Sequence, residues 1–363
     1  MISSTKFPIN FKRATAIQAF QNRILQGDAF RVLRKLPSES VDCIVTSPPY
    51  YALRDYGVSK QIGLEETFTE YLEKLLLVFD EAKRVLKRTG SCWVVIGDTY
   101  GGSATSGILI NRQKKAKSKS RNSLRLTHRK GRYSKCLLQI PARFAIGMIE
   151  RGWILRNEII WHKPNMLPSS VKDRFTMDFE KIFFFTKSRR YFFNQQFEAP
   201  ANPDRLKNRF LNPEKKHKWL DSDIKLPVNA GAMERSRGKV LKTGRNKRAV
   251  WSIGTGRFTG EHFAVFPERL IETPILAGCP ENGLVLDPFM GSGTTAVVAR
   301  RLNRKFIGIE LNSKYVRMAN QRILQTEEPK NKRRNNDVQS KGNRQNFRQR
   351  AHCRLGRTNR NGD

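Results

Sequence analysis

Acidic residues are scarce in this chain. Its 363 residues hold 32 Asp and Glu against 69 Lys and Arg, a formal net charge of +37. Such a balance excludes an acidic surface and points to a polyanionic partner, most simply nucleic acid. No run of 18 or more apolar residues occurs, which excludes a membrane-spanning helix, and the first residues lack the apolar block of a secretory signal. Cysteine is sparse: Cys43, Cys92, Cys136, Cys279 and Cys353 are odd in number and scattered, with no C-x-x-C pair. Neither a disulfide framework nor a zinc knuckle is expected, and a reducing cytoplasm is the natural location. The five histidines complete no metal set, so no metal site is expected. Acid is also missing from residues 1–27, where Lys6, Lys12, Arg13 and Arg23 stand among Ser and Thr. Residues 1–20 read as a basic leader, with an organelle transit peptide as the alternative.

What is present is unevenly distributed. Residues 111–135 carry 11 Lys and Arg and no acid, residues 201–250 carry 14 against 5, and residues 326–363 carry 11 against 4. The remainder has the balance of an ordinary soluble protein. Any one such run is usually a solvated or disordered segment, whereas three of them around a balanced body favour a polyanion-binding groove. The last is rich in Asn, Gln and Arg and poor in apolar residues, so disorder is expected there. With 38% hydrophobic residues the chain can bury a sizeable core, as one large domain or two modest ones.

The balanced parts alternate strand and helix patterns. Strands are expected at 23–26, 41–45, 92–96, 154–161, 284–286 and 306–309. Helices are expected at 30–36, 69–87, 141–151, 266–277, 294–302 and 314–325. The 69–87 helix has Leu72, Leu75, Leu76, Phe79, Ala82, Val85 and Leu86 at helical spacing, with Gly90 as its stop. Residues 181–185 and 191–193, joined by Lys187-Ser188-Arg189, read as a hairpin. The alternation predicts an α/β sheet of about seven strands covered by helices.

Two segments carry chemistry. Leu284-Val285-Leu286-Asp287-Pro288-Phe289-Met290-Gly291-Ser292-Gly293-Thr294 is a strand, a tight turn and a helix start. Gly291-x-Gly293-x-x-Ala296 fits the G-x-G-x-x-G/A nucleotide fingerprint. Glu310, 19 residues after Gly291, ends the next strand, where an acid grips ribose hydroxyls. The glycines alone would equally mark a structural turn. With the strand, the helix and the acid in place, a ribose-bearing cofactor is the better reading. Too few strand–helix units follow for an ordinary nicotinamide enzyme, so upstream strands must complete the sheet.

The second segment is Val45-Thr46-Ser47-Pro48-Pro49-Tyr50-Tyr51, directly after a buried strand. Ser47 and Pro48 each precede a proline and are pushed into an extended path. The stiff loop presents a hydroxyl, carbonyls and an aromatic ring. That set suits a planar group bearing an amino substituent, although an isolated Pro-Pro would more simply be a rigid linker.

Val45-Thr46-Ser47-Pro48-Pro49-Tyr50 resembles the catalytic motif of the DNA amino-methyltransferases, which methylate cytosine N4 or adenine N6. Asp287-Pro288-Phe289-x-Gly291-Ser292-Gly293-Thr294-Thr295 resembles that family's S-adenosylmethionine motif. The segment His262-Phe263-Ala264-Val265-Phe266-Pro267-Glu268-Arg269-Leu270 is similar to the helix motif before it. Trp161-His162-Lys163-Pro164-Asn165 and the stretch through Phe183-Phe184-Phe185-Thr186-Lys187-Ser188 also look familial. Having the catalytic loop first and the cofactor turn last is the order of the family's beta class. The resemblance therefore implies a circularly permuted Rossmann-like methyltransferase fold, a mixed sheet with helices on both faces. Residues 21–195 and 251–325 would form the catalytic domain, with an inserted target-recognition region at 196–250.

The resemblance further implies S-adenosylmethionine as cofactor. Asp28 would lie near its adenine end, Glu310 would hold the ribose, and Asp287, Phe289, Gly291 and Gly293 would surround the methionine part. Thr294, at a helix start, is placed to meet a carboxylate. Phe263 and Phe266 would pack beside the cofactor, although aromatic residues flanking a helix are usually core. Ser47, Pro48, Pro49 and Tyr50 would be catalytic: Ser47 and the Pro48 carbonyl accept the amine hydrogens and Tyr50 stacks on a flipped base. No cysteine follows a proline, which excludes carbon-5 methylation through a Pro-Cys nucleophile. Ser rather than Asp at 47 leans toward cytosine N4, with adenine N6 as the alternative. The implied partners are double-stranded DNA and a cognate restriction endonuclease. Two readings of other kinds stay open: a non-catalytic DNA-binding protein on this scaffold, and methylation of RNA or protein.

Overall fold

The computed structural model describes residues 17–101, 132–166, 168–199, 244–255 and 266–326. The leader up to residue 16, most of the 111–135 insert, residues 200–243, the segment 256–265 with Phe263, and the tail from 327 lie outside the described residues.

In chain order the elements are β1 (Arg23–Gln26), α1 (Ala29–Leu33), β2 (Val41–Thr46), α2 (Phe68–Val85), β3 (Leu86–Ile96), α3 (Ile140–Glu150), β4 (Ile154–His162), β5 (Phe179–Thr186), β6 (Phe197–Glu198), β7 (Arg245–Asn246), β8 (Val250–Ser252), α4 (Glu268–Gly278), β9 (Leu284–Asp287), α5 (Thr294–Arg301), β10 (Lys305–Glu310) and α6 (Ser313–Gln325). Eight strands form one sheet in the order β1-β10-β9-β2-β3-β5-β4-β8, and β6 pairs with β7 alone. From β1 to β3 the pairs are parallel, β5 runs antiparallel to both β3 and β4, and β8 is parallel to β4. The strand that comes second in the chain therefore lies beside the ninth, and the sheet is closed by upstream strands as expected. The short edge strand β8 makes the count eight rather than about seven.

Alternating side chains of the central strands feed two cores. Ile44, Val94, Leu286 and Ile307 pack under α1, α2 and α3, while Cys43, Val45, Val95, Val285 and Phe306 pack under α4, α5 and α6. This two-sided burial is why β9 reads as an unbroken apolar run. No helix among the described residues is long and apolar enough to cross a membrane.

Three boundary expectations are corrected. First, α2 starts on a Thr67 cap that accepts from the Glu70 N–H at 3.2 Å, but it ends at Val85 and the chain enters β3 directly. Gly90 is no helix stop. It lies where the β2–β3 register shifts, and a Cβ there would come within 2.9 Å of the Asp42 carbonyl. Second, α1 stops at Leu33, short of residue 36. The Arg84 guanidinium of α2 donates to the Leu33 carbonyl at 2.8 Å and the Leu36 carbonyl at 3.0 Å, satisfying that terminus from outside. Third, residues 191–193 form no strand. Both edges of β5 are taken by β3 and β4, so Phe193 instead stacks on Phe184, with ring centres 5.7 Å apart.

Candidate active site

Because β2 and β9 are parallel neighbours, the loops leaving their C-terminal ends emerge on the same edge of the sheet, the usual ligand edge of an open α/β sheet. The Thr46 hydroxyl, last in β2, donates to Asp287 Oδ1 at 2.6 Å across 241 residues of sequence. Asp287 Oδ2 takes the Thr295 hydroxyl at 2.6 Å, and Oδ1 also takes the Phe289 N–H at 3.0 Å. Asp287 is thus a buried hub, 1% exposed, that joins the proline loop to the glycine turn. Burial pushes its carboxyl up to about 6, with the Thr295, Thr46 and Phe289 hydrogen bonds opposing.

The glycine turn needs left-handed backbone at Gly291 (φ 54) and at Gly293 (φ 88), which caps α5. Glu310, at the end of β10, supports it from beside: Oε2 accepts the Gly291 N–H at 2.8 Å and Oε1 accepts the Asn312 N–H at 2.7 Å. Burial raises Glu310 above the usual carboxylate range, and those two amides oppose the shift. Arg322 of α6 pins the turn from behind through the Ser292 carbonyl at 2.9 Å, the Ser292 hydroxyl at 2.9 Å and the Thr294 hydroxyl at 3.1 Å.

The proline loop is braced at Pro49 and at Tyr50. The buried Tyr71 hydroxyl donates to the Pro49 carbonyl at 2.9 Å. The Tyr50 hydroxyl donates to Glu180 Oε2 of β5 at 2.6 Å, and Ser47 Oγ lies 3.4 Å from the same Tyr50 oxygen. Glu180 Oε1 is paired with the Lys163 ammonium. Burial, then the charge of Glu180, holds the Tyr50 phenol well above its usual range, so it keeps its proton.

Both loops face one cavity of about 570 Å³, a size typical of ligand sites. Ser47, Pro48, Pro49 and Tyr50 line it together with Asp28, Phe289, Gly291, Thr294 and Glu310. Ser47 and Gly291 therefore share a single chamber. Phe266 also lines it, while Asp287 and Gly293 do not; they shape the turn from within. Asp28 doubles as the cap of α1, accepting the Arg31 N–H at 3.0 Å.

Sequence reasoning missed several lining residues. Arg54, Tyr56 and Lys60 belong to a loop without periodic pattern, and Asn312 and Tyr315 follow β10. Asn312 donates to the Tyr56 carbonyl at 3.4 Å, and the Tyr56 and Tyr315 rings meet edge to face, centres 6.2 Å apart. Lys163 and Glu180 also line the cavity. For Glu180 a signal existed: it is the one acid in the largely apolar stretch Phe179–Thr186.

A family model described as "DNA methylase" matches residues 41–321. The Type II methyltransferase M.Cfr9I of Citrobacter freundii is 41% identical over 304 residues, covering 83% of this chain and 87% of that protein. The Type II methyltransferase M.SmaI of Serratia marcescens is 39% identical over 303 residues, covering 83% and 90%. Among solved structures, the PvuII DNA methyltransferase (cytosine-N4-specific) matches with a TM-score of 0.54 at 22% identity, over 82% of this chain and 85% of that one; this likeness concerns the fold.

Proposed function

The chain belongs to the DNA methylase family of exocyclic-amine methyltransferases, and from that premise we propose that it transfers a methyl group to cytosine N4 in duplex DNA. The observation that carries the choice of base is Ser47. A hydroxyl, rather than a carboxylate, stands at the head of the proline loop inside the cavity, and in the family Ser at this position leans toward cytosine. The solved PvuII enzyme of the same fold is described as cytosine-N4-specific.

The donor of this family is S-adenosylmethionine, which supplies an electrophilic methyl group on a sulfonium. The side chains present suit it. Each Glu310 oxygen accepts one backbone N–H, and a carboxylate oxygen has a second lone pair, so the pair remains able to receive two vicinal hydroxyls. Asp28, Phe289 and Thr294 would complete the cradle along the glycine turn. Acids at the sugar end and an aromatic wall beside a small-residue turn match a nucleoside joined to a cationic centre.

The target base must leave the duplex, at a cost of a few kcal/mol. Stacking on Tyr50, worth roughly 1–3 kcal/mol by analogy with base–aromatic contacts, offsets much of it. The exocyclic amine is a poor nucleophile because its lone pair is delocalised into the ring. Ser47 Oγ and the Pro48 carbonyl accept its two hydrogens, drawing the nitrogen toward tetrahedral geometry and localising that pair. No covalent bond to the protein forms: the nitrogen–carbon bond would form as the methyl–sulfur bond breaks, and the surplus amine proton would pass to water. In this reading residues 21–195 and 251–325 are the catalytic domain, and residues 196–250 read the site. A cognate endonuclease cutting the same sequence is the partner it implies.

The test is nucleoside mass spectrometry of unmodified bulk duplex DNA after incubation with the protein and S-adenosylmethionine. N4-methylcytosine is expected. N6-methyladenine alone moves the assignment to the other base of the family, and an equal rate on duplex RNA overturns the DNA preference.

A further inference from the structure

We propose that Glu180, held by Lys163, is a positioning residue that fixes the direction of the hydrogen-bond chain ending at Ser47, so that the Ser47 hydroxyl meets the target amine as an acceptor. This rests on the reading of Ser47 given above and adds the device that makes it work.

A serine hydroxyl is ambivalent, with one donor and two lone pairs on a freely turning bond. Pointed at the amine nitrogen, its proton would occupy the lone pair that has to attack. A donor-free partner upstream removes the choice. Glu180 Oε2, an acceptor only, takes the Tyr50 proton at 2.6 Å. With that proton committed, the Tyr50 oxygen can offer Ser47 nothing but a lone pair, and Ser47 donates to it across 3.4 Å. The contact is long and weak, so its value lies in direction rather than in energy. The Ser47 proton points along the chain and its lone pairs face the cavity.

The chain is anchored at its far end. Lys163 pairs with the other oxygen of Glu180, the two side chains being 10% and 17% exposed, and the same ammonium lies 4.5 Å from the centre of the Trp161 ring. It compensates a carboxylate charge that is largely removed from water. Glu180 sits on β5 opposite Trp161 of β4, and Lys163, one residue past β4, is tied to the same edge by its N–H to the Asp178 carbonyl at 2.8 Å. Next to Ile96, which pairs with Lys181 of β5, Gly97 closes on the Tyr50 ring: a Cβ there would lie 2.6 Å from Cε2. The ring is held where its hydroxyl finds Glu180.

The experiment is a double-mutant cycle on kcat, read by transfer of labelled methyl groups from S-adenosylmethionine to unmodified bulk duplex DNA. Glu180→Gln keeps the shape but brings a donor to Tyr50, which lets the chain reverse. It should lower kcat about tenfold, the scale of one misdirected hydrogen bond. The dissociation constant for S-adenosylmethionine, measured by calorimetry, should stay at the wild-type value; the melting temperature should fall, because the Lys163 charge loses its partner, but the melt should stay cooperative. Tyr50→Phe keeps the ring and should cost a similar factor. In the Tyr50→Phe background, Glu180→Gln should change kcat by less than about twofold, because the link through which it acts is gone. Equal losses in both backgrounds, or complete loss of transfer in Tyr50→Phe, overturn the proposal. If Glu180→Gln does not melt cooperatively, Glu180→Gln combined with Lys163→Met, which removes the unpaired charge as well, replaces it in the same cycle with the same expectation. Unfolding of both variants also overturns it, since the pair would then hold the fold. Ser47→Ala separates the two levels: retained transfer there defeats the reading of the site, while an inactive Ser47→Ala with additive Tyr50 and Glu180 losses defeats only the positioning role.

Discussion

Asp287 shows how one residue serves the site without touching its cavity. From sequence it resembled a cofactor contact; in the fold it is the buried hub between Thr46 and Thr295. Nothing in the local sequence announces a partner 241 positions away, so only the strand order β9-β2 reveals it. Its carboxyl, raised to about 6 by burial, binds a proton more tightly folded than unfolded. Its contribution is therefore fully present below the unfolded value and is lost as pH rises through about 6. Across pH 4 to 7 the wild type should lose stability relative to Asp287→Asn, by a few kcal/mol at most. Melting curves of both proteins over that range check the sign; a gap independent of pH contradicts it. Ser47, by contrast, was legible from its motif alone. Ser47→Ala should reduce transfer by at least about a hundredfold, the scale of a lost general catalytic contact, with calorimetric binding of S-adenosylmethionine unchanged.

Among the elements, the long periodic ones were the most readable. The α2 stripe of Leu72, Leu75, Leu76 and Phe79 is buried as the spacing required. Its C-terminal limit was not readable, because β3 pairing with β2 begins at Leu86 and overrides the helical pattern. The hairpin expected after β5 failed for a similar reason: pairing partners from distant sequence had already filled both edges of that strand. The helix α6 looked like simple cover for the sheet, yet its Arg322 holds three acceptors of the glycine turn. Arg322→Met should weaken S-adenosylmethionine binding roughly tenfold, as expected for losing hydrogen bonds from a charged donor, and leave the affinity for DNA near its original value. Calorimetry and filter binding measure the two. Just past β3, Gly97→Ala places a methyl group against the Tyr50 ring. Overpacking of this kind costs about 1–3 kcal/mol. Transfer should fall while S-adenosylmethionine binding persists, which a paired rate and calorimetric measurement tests.

For the molecule as a whole, alternation of strand and helix patterns was enough to give an α/β sheet covered by helices, while its permutation was implied by the family resemblance of the two motifs in their order. The minor strands β6, β7 and β8, of two or three residues each, leave too little periodicity to be read. The net charge of +37 speaks about association rather than about fold. DNA affinity should fall linearly on a log–log plot against salt, with a slope of about −0.9 per phosphate neutralised; affinity indifferent to salt would remove the electrostatic account. The central claim, that one chamber presents Ser47 to a cytosine amine, is tested most directly by single-molecule sequencing of DNA from cells expressing either the wild type or Ser47→Ala. N4-methylcytosine at one recurring sequence in the first and at no sequence in the second is the predicted result. Methylated adenine in place of cytosine, or a mark that survives Ser47→Ala, would contradict it.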